Sequence, residues 1–474
     1  MDERYIATVD LGTGKIALTV ARIYGESTEV IFYKETASDG IRRSQVFNPK
    51  RAAAPLKALI KEAEDELGIK ILQVVIGLPR YSVRQETAPA RLERDGATCI
   101  SQEEIDAVKS LALDTYPLED PDKEMIYGAV TQSFSTEDMI NLPEEDVTGM
   151  TSDVLEGNFK IFVGAKKAIN NIDIMLNDAG VAPARKFFLP NATADAILSY
   201  EEKENGVALI EIGAGVTSLS IYQGGILRHY TAIPFGGKVI TTDIKYVCGF
   251  KEVLAENIKM AYGACMPDRL QSMSEKIIQV NFDEDGTSRQ IEVKYLSEII
   301  TARACEIIEA MLFKIQESGY AGKLRSGIVI TGGGANLTGL GNYIREMSGY
   351  NVRTGYPRSK VITTSGYPGI SETSAAASIG LLLLAKDDTH LNCTTEPAPV
   401  RAASSGIGSV QAEVSESSTE EAEETVFSPV SEQRIKEKAE KERKPQKSNR
   451  SSLIKLEWGQ KIVDRVGSLF DTME

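Results

Sequence analysis

Two short stretches of this chain set a carboxylate beside a glycine turn, between β-rich runs. The first is Val9-Asp10-Leu11-Gly12-Thr13-Gly14-Lys15-Ile16, and the second is Ile210-Glu211-Ile212-Gly213-Ala214-Gly215-Val216-Thr217. Glycines in such turns let backbone N–H groups approach phosphate oxygens with no Cβ in the way. Thr13 and Thr217 can add hydroxyl donors, and Lys15 a positive charge, to the same anion. Asp10 and Glu211 can face a hard cation, Mg²⁺ above all, which takes oxygen ligands and retains water. These are the parts of a Mg-nucleotide site. A third glycine run, Gly332-Gly333-Gly334-Ala335-Asn336, follows the apolar Ile328-Val329-Ile330 and leads into a helical pattern.

Any one of these loops alone reads equally well as a hairpin turn. Three in this order, each flanked by the right periodicity, favour two strand-turn-strand phosphate loops and one strand-turn-helix loop. A P-loop would need glycine where Val9 stands, and the residues after Lys15 alternate as a strand rather than opening a helix. A dinucleotide fingerprint also needs a helix after its glycines, whereas Thr217-Ser218-Leu219-Ser220-Ile221-Tyr222 is strand-like. His229 and His390 have no visible nucleophile partner, so a triad is not read. No strong general base is identified, and Glu211 is a weak catalytic candidate at best.

The 474 residues can hold about two to four compact units. An apolar share of 42% with 26% charged residues is that of a soluble globular protein. The net charge of −15 argues against broad nucleic-acid binding. No signal peptide or membrane-spanning run is read. Five scattered cysteines and two histidines give neither metal spacing nor a disulfide framework, as for buried thiols in a reducing cytoplasm.

Alternating strand-like and helical stretches up to about Lys386 predict an α/β architecture with mixed sheets. Leu56, Leu59, Ile60, Ala63 and Leu67 share one face of a helix over Ala52 to Leu67. Strands are expected at Ile71 to Leu78 and Ile161 to Ala165, and a helix at Asn170 to Ala179. The Glu-, Asp- and Pro-rich stretch from Tyr81 to Glu156, with its own helix near Glu103 to Leu113, reads as an inserted subdomain. Thr389 to Asn449 has the composition of a disordered segment, acidic at Glu413 to Glu424 and mostly basic at Arg434 to Arg450.

Hydrophobicity then returns. Ile454, Trp458, Ile462, Val466, Leu469, Phe470 and Met473 recur every three or four positions and share one broad helical face. Such a helix has no core of its own after so long a linker, so it must dock. The globular body, a partner protein and a membrane surface are all open to it.

Taken together, the residues from about Tyr5 to Leu384, with the terminal helix, resemble FtsA, the actin-like cell-division family that tethers tubulin-like FtsZ to the bacterial membrane. The stretches that carry the resemblance are Asp10 to Lys15, Gly224-Gly225-Ile226-Leu227-Arg228-His229, Ile233-Pro234-Phe235-Gly236-Gly237, Ile330 to Ala335 and Ser374 to Leu382. It implies a two-lobed actin-like fold with residues 1–80 and 157–190 in the first lobe and an FtsA-type insert at 81–156. The second lobe would be 191–386, with a smaller subdomain near 235–315 and a last helix near 372–385 returning to the first lobe. A disordered linker at 387–450 and an amphipathic membrane helix at 451–474 complete the plan.

The same resemblance implies residue roles. Gly12, Thr13, Gly14 and Lys15 would hold the terminal phosphates of ATP, with Asp10 near Mg²⁺. Gly213, Gly215 and Thr217 would form the second phosphate loop, and Gly236 and Gly237 would open the helix facing the sugar. Glu256 and Lys259 would meet ribose and adenine, although they equally suit a surface ion pair. Gly333, Gly334 and Asn336 would border the adenine. The second loop departs from the family: Glu211 stands for the usual Asp, Ala214 for a glycine and Ser218 for a frequently acidic position. ATP binding is therefore a firmer expectation than hydrolysis.

The implied role is an ATP-binding adaptor on the cytoplasmic face of the cell membrane at the division septum. It would self-assemble, bind FtsZ and recruit later division proteins. A small-molecule kinase or a pilus-assembly adaptor of like fold leaves the tail helix unexplained. An Hsp70-type chaperone would need a β-rich domain where the polar linker stands.

Overall fold

The computed structural model describes residues 3–25, 27–270, 275–281, 288–358, 363–364, 366–367 and 369–396. The membrane helix expected at 451–474, with Ile454, Trp458, Ile462, Val466, Leu469 and Phe470, lies outside the described residues, as does the linker beyond 396.

Two sheets are built on one plan. In the first, strands Arg4–Leu11, Lys15–Tyr24 and Ser27–Ala37 form an antiparallel meander. Gln73–Gly77 joins the free side of Arg4–Leu11 in parallel, followed by Ala182–Phe187, while Thr363–Thr364 closes the other edge. In the second, Val207–Ile212, Thr217–Gln223 and Ile226–Ile233 repeat the meander, and Ile328–Thr331 joins Val207–Ile212 in parallel. Val352–Thr354 forms the outer edge. The registers match as well. Asp10 pairs with Ala17, and Glu211 with Ser218, each one step before its turn.

The long apolar runs of these strands are buried on both faces because helices cover the sheets. Helix Pro49–Leu67 starts where Asn48 accepts the Arg51 N–H at 3.1 Å and stops at left-handed Gly68. Its buried face is Ala52, Ala53, Leu56, Leu59, Ile60 and Ala63, near the stripe expected from spacing. Helix Lys166–Ala179 packs beside it and buries Ile172, Met175 and Leu176.

The insert is a three-stranded antiparallel sheet of Arg84–Glu93, Val154–Ala165 and Glu124–Ser135, covered by helix Gln102–Asp114. The strand read at Ile161 to Ala165 is the end of the long Val154–Ala165 strand, which runs unbroken through the boundary drawn at 156. The sequence reading caught only the end where Ile161, Phe162 and Val163 are buried in a row; the stretch before it alternates, with Leu155, Gly157 and Phe159 buried and Glu156 and Asn158 exposed. The smaller subdomain of the second lobe contains helices Gly237–Cys248, Glu252–Tyr262 and Val293–Glu317 around Ile244, Leu296 and Ile300.

Two helices cross between the sheets, Leu189–Ile197 and Ala376–Lys386. They approach so closely that a Cβ at Gly380 would lie 2.0 Å from the Ala192 carbonyl oxygen. The body does not end at Lys386, as the linker boundary at 387 required. Residues 387–396 fold back on the first sheet, because Leu391 and Cys393 supply apolar side chains that are buried there. The Cys393 N–H donates to the Tyr5 carbonyl at 2.7 Å, and the Leu72 N–H donates to the Cys393 carbonyl at 2.9 Å.

Candidate functional site

The repeated hairpins place their turns face to face. A Cβ at Gly14 would stand 2.9 Å from the Ala214 Cβ, and one at Gly215 would stand 2.7 Å from the Thr13 methyl. Glycine at these positions is a steric requirement of close approach. Behind the second turn, the N–H groups of Gly237 and Lys238 donate to the carbonyls of Gly213 and Ala214, both at 2.8 Å. A Cβ at Gly236 would strike the Gly213 oxygen at 2.3 Å. The helix that opens at Gly237 is therefore stapled to the loop.

The third glycine run joins from the side. A Cβ at Gly334 would meet the Ile212 side chain at 2.3 Å, and one at Gly333 would lie 3.8 Å from the Ser374 Cβ. Ser374 Oγ in turn accepts from Lys15 Nζ at 2.9 Å. Asn336 Oδ1 accepts from the Thr373 hydroxyl at 3.0 Å, and that hydroxyl also lies 2.9 Å from the Gly332 oxygen. The two hairpin turns, the Gly236-Gly237 corner and the third glycine run thus meet in one region.

The side chains divide by availability. The Thr13 oxygen accepts the Ser44 N–H at 3.0 Å, which leaves its proton free to donate. Thr217 is buried and donates to the Phe235 carbonyl at 2.9 Å, so its hydroxyl braces the loop. Lys15 is ion-paired with Glu35, whose carboxylate also accepts the Tyr33 hydroxyl. Burial, then that carboxylate, holds the Tyr33 hydroxyl well above the ordinary tyrosine range. Lys259 Nζ reaches the Gly237 carbonyl and Thr241 Oγ1, each at 2.9 Å, and Glu256 at 2.8 Å. Glu256 and Lys259 are an ion pair in this structure, but a half-buried one tied to the Gly237 corner rather than a loose surface pair.

The second acid is paired with a residue that the sequence reading passed over. Arg80 Nη2 lies 2.9 Å from Glu211 Oε1, and both side chains are almost fully buried. Burial opposes the Arg80 charge, but Glu211 and Asp10 outweigh it and raise the arginine further. Burial pushes the Glu211 carboxyl upward and Asp10 adds to the effect, while Arg80 opposes it. The signal was available. Arg80 follows Pro79 at the C-terminal end of Gln73–Gly77, a strand parallel to Arg4–Leu11, and ligand sites gather at such strand ends.

The arrangement fits a nucleotide through its facing glycine turns, which leave no room for a Cβ. For a divalent cation the fit is divided. Asp10 Oδ1 is buried and has no hydrogen-bond partner among the described residues, as suits an acid waiting for a hydrated ion. Glu211 is already engaged by Arg80. Among the described residues no cluster of three or more His, Cys, Asp or Glu could hold a metal by itself.

The FtsA family model, described as "Cell division protein FtsA", matches residues 208–380. The FtsA of Borreliella burgdorferi is 30% identical over 399 residues, covering 83% of this chain and 93% of that relative. The FtsA of Neisseria meningitidis is 29% identical, covering 75% and 84%. Among solved structures, a PilM-PilN type IV pilus biogenesis complex superposes with a TM-score of 0.56 at 16% identity, covering 80% of this chain and 98% of that one. That likeness shows the fold alone. With a relative at this identity aligned over most of both chains, and two matched lobes facing each other through glycine turns, the chain belongs to the FtsA family of actin-like cell-division proteins.

Proposed function

We propose that this chain is an ATP-binding, self-assembling scaffold of cell division that tethers FtsZ to the cytoplasmic face of the membrane at the septum. The observation that carries the nucleotide part is the meeting of Gly14 with Ala214 and of Gly215 with Thr13, one turn from each lobe. A polyphosphate held there contacts both lobes at once, so binding favours the closed arrangement by its differential affinity for it. Mg²⁺ would neutralise phosphate charge beside Asp10. Glu211, the weak catalytic candidate read from sequence, is engaged by Arg80, so ATP is read here as a conformational ligand with at most weak hydrolysis.

The smaller subdomain supports a partner role. It leaves Tyr246, Val253, Met260 and Ile277 largely exposed. Beside them is an open groove of about 650 Å³ lined by Val247, Arg289, Ile291, Lys294 and Tyr295. Exposed apolar residues and a groove that mixes apolar and charged side chains suit a protein partner, and FtsZ is the partner assigned to it. Later division proteins and a second copy of the chain are the other partners in this reading, and nucleic acid is not one. No helix among the described residues is long and apolar enough to cross a membrane. Attachment is assigned to the amphipathic face of Ile454, Trp458, Ile462, Val466, Leu469 and Phe470, with the basic run before it supplying charge attraction.

Liposome co-sedimentation tests the tether. The full chain should pellet with anionic vesicles, while Trp458→Glu/Phe470→Glu and a truncation after Pro399 should stay soluble. Equal pelleting of all three would refute the tail as anchor. A fluorescent ATP analogue titrated into the same proteins tests the cleft separately, and all three should bind it equally.

A further inference from the structure

We propose that Arg80 is a resident cation of the cleft, neutralising Glu211 and leaving Asp10 as the carboxylate offered to a nucleotide-bound divalent ion. The proposal rests on the nucleotide reading above, although its first test does not need nucleotide.

The backbone of Arg80 is held at both polar groups. Its N–H donates to Ser44 Oγ at 3.3 Å, and its carbonyl accepts the Tyr230 hydroxyl at 2.5 Å. The guanidinium is thereby aimed from the first lobe at Glu211 in the second, with Nη2 at 2.9 Å from Oε1. Nε and Nη2 make no directed hydrogen bond among the described residues, so the group retains donor capacity while buried. Asp10 and Glu211 occupy the same register place in the two hairpins, but the glutamate has one more methylene. That added reach brings its carboxylate to the arginine. The departure at Glu211 thus has a structural reason.

The charge count sets the consequence. Two bare buried carboxylates would repel one another and draw in a divalent ion even without nucleotide. With Arg80 paired to Glu211 and felt by Asp10, the trio carries a single negative charge, too little to hold a hydrated dication tightly by itself. The metal should therefore arrive with the nucleotide and lean on Asp10.

Mn²⁺ binding to the nucleotide-free full chain, read by electron paramagnetic resonance, tests this. The wild type should bind Mn²⁺ weakly. Arg80→Gln should gain at least about tenfold in Mn²⁺ affinity because Glu211 is released, and Arg80→Gln/Glu211→Gln should lose that gain. A folded Arg80→Gln with unchanged Mn²⁺ affinity would overturn the proposal, as would a wild type that binds Mn²⁺ as tightly as the variant. Should Arg80→Gln fail to fold, Glu211→Asp keeps every charge but shortens the reach, and it too should raise Mn²⁺ affinity; no rise would count against the proposal. ATP-analogue affinity is measured in parallel. Its absence in the wild type would defeat the nucleotide reading without touching the Mn²⁺ result.

Discussion

Thr13 and Gly215 touch across the two lobes: a Cβ built on the glycine would fall 2.7 Å from the threonine methyl and 2.8 Å from its hydroxyl oxygen. Each residue belongs to a turn that its own lobe could relax. Their contact is one of the couplings between the lobes, beside that of Gly14 with Ala214. Gly215→Ala should therefore prop the turns apart and weaken ATP-analogue binding by about tenfold or more. Gly322→Ala, at a position with open space around the added methyl, is the control that should bind normally. Fluorescence titration of the three proteins decides it.

The helix crossing supplies a second steric test. At Gly380 an added methyl meets the Ala192 carbonyl carbon at 2.3 Å as well as its oxygen, and that backbone is part of the Leu189–Ile197 helix. Gly380→Ala should lower stability by about 1–3 kcal/mol through overpacking, despite alanine's better helix propensity. Chemical denaturation measures this. An unchanged midpoint would mean that the helices can separate freely.

His229 gives the protein an acid-side sensitivity. Burial, reinforced by the Lys160 charge, lowers its imidazole from 6.5 to about 4. The folded pKa lies below the unfolded value, so the neutral form is the one the fold favours. Its contribution is full above about pH 6.5 and is lost as pH falls toward 4. The thermal midpoint of His229→Gln should fall less steeply than that of the wild type across this window.

The insert is pinned by one buried arginine. Arg94 bonds Glu104 at 2.7 and 3.0 Å and the Ser152 carbonyl at 2.6 Å. Glu104 also completes the capping box with Ser101. The Arg94 guanidinium, then the Ser101 N–H, lowers the Glu104 carboxyl to about 2. Arg94→Ala should destabilise the insert by about 2–3 kcal/mol, and limited proteolysis should cut first between residues 84 and 165. Stability from Glu104 is present above its unfolded value of 4.5 and is lost as pH falls toward 2.

Thiol chemistry should be uneven. Burial pushes Cys265 up to about 12 and Cys393 up to about 11, whereas Cys99 is exposed. A disulfide reagent added to the native chain should modify Cys99 well before Cys265 and Cys393. Mass mapping of the first labelled peptide checks the order.

What could be read from the sequence follows from the range of the forces involved. Glycine turns and helix stripes are local, so the hairpins at Gly12 and Gly213 and the Ile172-Met175-Leu176 face were legible in residue order. Arg80, Ser374 and Thr241 were not, because each gains its place through strands or helices distant in sequence. Arg80 meets an acid of the other lobe, and Ser374 meets Lys15 from the far side of the chain. The end of the body was misplaced for a similar reason. Leu391 and Cys393 are two apolar residues in a polar stretch, and only the first sheet shows what buries them.

That return to the first sheet has a mechanical consequence. Arg4 grips the carbonyls of Lys386, Asp388 and Leu391, and the Cys393 amide hangs on Tyr5. Tension applied to the chain beyond residue 396 would therefore enter through strand Arg4–Leu11. That strand carries Asp10 one residue before its end at Leu11, where the first glycine turn begins, so the load path from the tail runs along the central strand of the first sheet to the edge of the cleft.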